Sequence, residues 1–225
     1  MYCGESTLVK YEKDQRTAVT LTCKAWTCPD CAPNRKRRLI AEACGGLPNK
    51  MLTLTSRRHG GTTAPEAARA LAHAWRLLRL RAMRRYRLKD LPFIAVFEAT
   101  KLGWPHLHIL LRGPWLDQAW LSEQMSQLTD SPNVDIRKID NPGRAASYVA
   151  KYIGKEPTKF ETCKRYWKSK QYEQRDLSKV IRPAHERRGF EIERRAIASV
   201  VAMWRSFEWR VEWLDHHRAR CWIPP

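Results

Sequence analysis

The chain has 225 residues, with 42 lysines and arginines against 23 aspartates and glutamates, a formal net charge of +19. That length holds one good-sized core with an appendage and excludes a string of independent domains, while a charge far beyond what solubility needs calls for a polyanionic partner. No apolar run approaches the roughly 18 residues of a spanning helix and the N-terminus lacks a signal peptide's apolar centre, so the expectation is a cytoplasmic nucleic-acid protein with no membrane partner.

Residues 1–48 read as a zinc-binding module. Seven cysteines are an odd count, which without a signal peptide points to a reducing compartment and metal ligation rather than disulfides. Cys23, Cys28 and Cys31 stand in CKAWTCPDC, and the C-P-D-C turn is a knuckle whose two thiolates can reach one Zn²⁺ at about 2.3 Å. The fourth ligand is Cys3, preferred because an upstream turn and the strand-like TAVTLTC could close a small ribbon, or Cys44, which precedes two glycines. Cys163 and Cys221 read as free thiols. The basic run NRKRR follows the knuckle directly and makes Arg35, Lys36 and Arg37 candidate DNA contacts.

From Lys50 the periodicity changes to that of a mixed α+β core, residues 49–156. Met51–Thr55 is a buried strand. Thr62 and Thr63 cap a helix that has Pro65 in its first turn and runs to about Arg87, with Leu71, Ala74, Trp75, Leu78 and Ala82 as its inner stripe. Arg69, Arg76, Arg84 and Arg87 line the other side, either as a solvated face or as a DNA track. Phe93–Ala99 and the strand within GWPHLHILLRG form a hairpin around Thr100–Trp104. A helix from about Trp115 to Leu128, a strand from Asn133 to Ile139 and a helix after Pro142 follow. The order βαββαβα is that of a ferredoxin-like, RRM-type antiparallel sheet with helices on one face.

Alternate residues of a strand share a face, so His106 and His108 point together, and the hairpin sets Glu98 opposite His106. Two imidazoles and a carboxylate suit Mn²⁺ or Mg²⁺ at a phosphoryl site. On the last helix, RAASYVAKYIGKE stacks Tyr148 over Tyr152 with Lys151 and Lys155 three positions after each, a surface that could meet a phosphate.

Residues 157–225 change character. Lys164, Arg165, Lys168 and Lys170 interleave with Tyr166, Trp167 and Tyr172, a mixture in which bases stack on rings while cations follow phosphates, or else a surface loop. A helix from Glu191 to about Leu214, carrying Val200, Trp204, Phe207 and Trp213, is expected to pack on the core.

Three segments in order, MLTLTSR, PHLHILL and YVAKYIGK, resemble the motifs of the HUH endonucleases. The third is similar to the two-tyrosine motif of rolling-circle replication initiators from small single-stranded DNA phages and plasmids. The resemblance implies a site-specific single-stranded DNA endonuclease and strand transferase that starts rolling-circle replication at an origin through a 5′-phosphotyrosine intermediate. In that reading Tyr148 and Tyr152 are nucleophiles, Lys151 and Lys155 hold the phosphate, Glu98 joins His106 and His108 as third metal ligand, and Arg57 closes the first motif beside the DNA. The arrangement also resembles two-tyrosine single-strand transposases, and a non-enzymatic zinc-ribbon regulator is the alternative outside catalysis. No G-x4-G-K-[ST] loop occurs, so unwinding calls for a separate helicase in the host bacterial cell.

Overall fold

The computed structural model describes residues 3–58, 61–140, 157–175 and 189–223. The tyrosine helix expected after Pro142, with Tyr148, Lys151, Tyr152 and Lys155, lies outside the described residues. The described elements begin with β1 (Thr7–Tyr11), β2 (Gln15–Thr20), α1 (Cys31–Gly45), β3 (Lys50–Thr55), α2 (Ala64–Arg85), β4 (Phe93–Ala99) and β5 (Pro105–Leu111). They continue with α3 (Gln118–Thr129), β6 (Val134–Lys138), β7 (Tyr166–Lys168), β8 (Phe190–Glu193), α4 (Ile197–Ser206), β9 (Arg210–Asp215) and β10 (Arg218–Trp222). None of the described helices is long and apolar enough to cross a membrane. The chain is α+β and divides into two compact units, Met1–Arg35 with Pro183–Pro225, and Lys36–Arg182.

In the larger unit the sheet order is β6-β3-β5-β4-β7, every neighbouring pair antiparallel. The two helical connections, β3-α2-β4 and β5-α3-β6, therefore each skip one strand. Helix α2 starts where the sequence places it: Thr63 and Glu66 form a reciprocal capping box, with the Thr63 amide donating to Glu66 Oε2 at 2.8 Å. Its stripe Leu71, Ala74, Trp75, Leu78 and Ala82 is buried, in one cluster with Leu52, Leu54, Phe97, Leu107 and Ile109 from the sheet and Leu121 and Met125 from α3. Trp75 meets Phe93 edge to face at 5.1 Å.

The smaller unit has a second five-stranded antiparallel sheet, β8-β1-β2-β10-β9. Here the structure corrects the expectation of one long C-terminal helix. The apolar spacing Ile197, Val200, Val201, Trp204 sustains only the ten residues of α4, and Phe207, the next candidate, is 57% exposed. From Arg210 the pattern turns to period two, with Val211 and Trp213 opposite Cys221 and Ala219 of β10. The C-terminal segment does not cover the His-bearing core as expected; α4 packs Val200, Val201 and Trp204 on Val9, Ala18, Ala219 and Cys221 of this second sheet. Cys221 is thus a core residue.

A further correction concerns Tyr172, grouped by its sequence neighbours with the base-stacking rings. It is fully buried, and its hydroxyl donates to the Ala43 carbonyl of α1 at 2.6 Å. Gly46 explains how the ring fits: a Cβ there would lie 2.2 Å from two ring carbons of Tyr172. We expect Gly46→Ala to destabilise the chain by about 1–3 kcal/mol, the usual cost of overpacking a filled core. Urea denaturation checks it, and an unchanged midpoint would contradict the packing.

Candidate metal and nucleic-acid site

The hairpin of β4 and β5 sets Glu98 opposite His106, as expected, and β3 lies on the other side of β5 with Thr53 opposite His108 and Thr55 opposite His106. Because the side-chain period is two, Glu98, His106, His108, Thr53 and Thr55 share the face away from the α2–α3 core. Thr53 Oγ1 lies 3.1 Å from His108 Nδ1, and Thr55 Oγ1 lies 3.4 Å from His106 Nδ1. Each hydroxyl therefore fixes one ring and leaves Nε2 on the ligand side, the usual way a second residue orients a metal-binding imidazole. His108 Nε2 makes a 2.8 Å contact with Glu98 Oε2, and the two rings stand 6.1 Å apart between centroids. The sequence names the histidines and the glutamate; it also contains the alternation Thr53-Leu54-Thr55, whose match to His106-x-His108 is the signal for the orienting pair.

Burial, reinforced by the neighbouring His108, holds the His106 pKa below its ordinary value, against an opposing pull from Glu98. A neutral imidazole is the form that binds a metal, so this depression extends the ligand state toward lower pH. Its sign for stability follows: between the depressed native value and the roughly 6.5 of an unfolded histidine, the folded state binds fewer protons. The contribution is present above that window and is lost as pH falls through it. An NMR titration should place the His106 midpoint below about 6.5; a midpoint at or above that value would contradict the burial argument.

The four cysteines Cys3, Cys23, Cys28 and Cys31 offer sulfurs that all lie within 4.8 Å of one another and could hold a metal ion. This is the tightest such donor group among the described residues, since His106, His108 and Glu98 have their facing atoms engaged in the Glu98–His108 contact. Cys3 completes the set, and Cys44 does not belong to it. Cys3 Sγ is 3.4 Å and Cys23 Sγ 3.8 Å from Cys31 Sγ. Sulfurs about 2.3 Å from a tetrahedral zinc would stand roughly 3.8 Å apart, so the donor set fits that ion. The Ala25 amide lowers the Cys23 thiol, while burial raises that of Cys31. At Cys3 the Cys23 backbone pulls downward, but burial and the sulfurs of Cys31, Cys28 and Cys23 carry the thiol up to about 12. Protons thus compete with a metal here, and uptake must release them. We expect about one tightly held zinc per chain, lost on acidification and in Cys28→Ser but kept in Cys44→Ser. Metal analysis that finds equal zinc in Cys28→Ser and the unaltered chain would refute the site.

The candidate DNA contacts divide by what already holds them. Arg35 Nη1 donates to the Lys24 carbonyl at 2.6 Å and its guanidinium lies 4.7 Å from the Trp26 ring centroid. Arg165 donates to the Pro157 carbonyl, and Lys168 pairs with Glu173 and, at 3.2 Å, with Glu42. Arg37, Arg57 and Lys164 are exposed, and Lys36 is half-buried. Arg57 directly follows the stretch of β3 that carries Thr55, and Arg58 stacks over Trp104 at 5.4 Å. Tyr166 and Trp167 occupy the edge strand β7, opposite Val96 and Ala95.

Residues 49–157 match the model of a family described as replication-associated protein ORF2. The matched stretch is just under half of the chain and contains β3, α2, β4, β5, α3 and β6. The similarity supports a replication initiator that interacts with DNA. No curated protein and no solved structure matches the chain.

Proposed function

We propose that the chain is a site-specific single-stranded DNA endonuclease and strand transferase that initiates rolling-circle replication. The observation that carries the reading is the cross-strand row in which Thr53, His108 and Glu98 meet, with Thr55 and His106 beside it, inside the stretch that matches a replication family. The βαββαβ order with strands arranged β6-β3-β5-β4 supports a ferredoxin-like sheet of the HUH kind.

In this reading His106, His108 and Glu98 hold Mn²⁺ or Mg²⁺. Such an ion, when bound, polarises the scissile phosphate and offsets the charge of the transition state. Thr53 and Thr55 keep the two rings aimed, and the depressed His106 pKa keeps its nitrogen unprotonated. Tyr148 gives up its phenolic proton and its oxygen forms a bond to phosphorus. The bond from phosphorus to the 3′-oxygen breaks, that oxygen takes a proton, and the 5′-phosphate stays on tyrosine as an ester. Lys151 and Lys155 hold the phosphate oxygens, and Tyr152 is free for a second exchange while Tyr148 is still esterified. The four cysteines hold a structural Zn²⁺.

Circular single-stranded DNA carrying the origin, incubated with Mn²⁺, should yield a covalent protein–DNA adduct on denaturing gels. His106→Ala or His108→Ala should abolish it while leaving most of the DNA affinity, which rests on the basic surface. Tyr148→Phe should lose initial nicking, whereas Tyr152→Phe should nick but release few closed circles. Peptide mapping that places the DNA on neither tyrosine would overturn the mechanism, and full cleavage by the double histidine variant would overturn the metal site.

A further inference from the structure

The larger unit carries a cavity of about 460 Å³ between α2 and the β4–β7 edge, walled by Trp75, Phe93 and Trp167 with Ala72, Arg76 and Arg79. We propose that this cavity takes one unstacked base of the single strand, with a flanking phosphate held by Arg76. The proposal rests on the reading of the chain as a single-strand nickase and adds to it a contact on the opposite face of the sheet from the histidines.

Three observations converge on that occupant. The walls are aromatic and the volume lies within the range of small-ligand sites, and an aromatic wall accepts any base because every base has a π-face. Trp75 is 1% exposed and its indole Nε1 has no hydrogen-bond partner. A buried donor left unsatisfied is a cost, and each nucleobase brings ring or carbonyl acceptors that a purely apolar partner lacks. The charge around the opening is of one sign. Arg79 is held by Asp90 and lies 5.4 Å from the Phe93 ring, but Arg76 on the wall is exposed with no acidic partner among the described residues. Lys164 and Lys170, which flank β7 in sequence, are likewise exposed and unpaired among the described residues. No carboxylate lines the cavity.

The register of β7 says how a strand would arrive. Trp167 pairs with Ala95, which belongs to the core under α2, whereas Tyr166 pairs with Val96, which pairs in turn with His108. Adjacent residues of this edge strand thus put one ring on the histidine face and the next on the cavity face. A DNA strand crossing the histidine face can pass over the β7 edge, meet Tyr166 first, and seat the following base against Trp167.

The test uses the full chain and a single-stranded oligonucleotide carrying 5-iodouracil. Irradiation followed by peptide mapping should find cross-links at Trp167 or Trp75. By fluorescence anisotropy at fixed salt, Arg76→Ala should weaken binding about 3- to 10-fold and Trp167→Leu about 5-fold or more, the scale of one lost phosphate contact and one lost stack. Thermal melting of Trp167→Leu controls for its packing on Phe97, and the exposed Arg76 needs no such control. Absence of cross-links at both tryptophans with unchanged affinity in Arg76→Ala would overturn the proposal and is the result expected if the cavity serves another protein segment. Nicking with Mn²⁺ in the same samples separates the two readings: nicking without cross-links removes the cavity alone, and cross-links without nicking remove the nuclease while leaving the base pocket.

Discussion

The register in which β3 and β4 pair with β5 is the constraint on which the site depends. Along these three strands one set of residues, Leu52, Leu54, Phe97, Leu107 and Ile109, enters the core under α2, and the alternate set carries Thr53, Thr55, Glu98, His106 and His108 to the other face. A slip by one residue would exchange the two sets. Burying each large apolar side chain stabilises the native register by about 1.5–3 kcal/mol, against roughly 0.5–1.5 kcal/mol for a neutral hydrogen bond such as Thr53 to His108. The geometry of the polar row is therefore imposed by the apolar row behind it. The polar contacts refine ring orientation; they do not choose it.

Within the polar row, each group constrains its neighbour. His108 is held on both nitrogens, by Thr53 and by Glu98, while the structure shows His106 anchored at Nδ1 by Thr55. Bringing a cation among them would exchange the Glu98–His108 contact for two ligand bonds without moving either strand. That is the sense in which the site is preorganised: what changes on binding is a side-chain torsion and a proton, and the backbone stays in its ladder. The cysteine group is built differently. Cys23, Cys28 and Cys31 come from one short stretch with little regular structure before α1, and Cys3 comes from the turn ahead of β1, so a bound metal would supply cohesion that no apolar cluster supplies there.

What was legible in the sequence was what short-range patterns encode. The hairpin register of Glu98 and His106, the capping of α2 by Thr63, its buried stripe and the cysteine spacing all follow from residues within a few positions of one another. What escaped reading was non-local. Strands β8, β9 and β10 carry weak alternation, and they find their place by pairing with β1 and β2 nearly two hundred residues earlier, contacts that no window can display. Tyr172 looked like a surface ring because its neighbours are charged, yet the cavity it fills is made by Gly46 and Ala43 on α1. The orienting threonines were visible as residues and invisible as partners until β3 was laid beside β5.

The charge of the chain is also redistributed by the fold. Several cations that a sequence count assigns to DNA are committed to the protein: Lys168 to Glu42 and Glu173, Arg165 to Pro157, Arg112 to the carbonyls of Gly46 and Gln171, and Arg35 to Lys24 and the face of Trp26. Arg37, Arg57, Arg76 and Lys164 remain exposed without an acidic partner among the described residues. The salt dependence of binding counts phosphates neutralised, with a slope of about −0.7 per contact on a single strand. A footprint built from the uncommitted cations gives a far shallower slope than the full count of 42 basic residues would. Such a surface binds firmly enough to hold a strand across the histidine face and loosely enough for it to advance between one cleavage and the next, which a replication cycle of repeated nicking and joining requires.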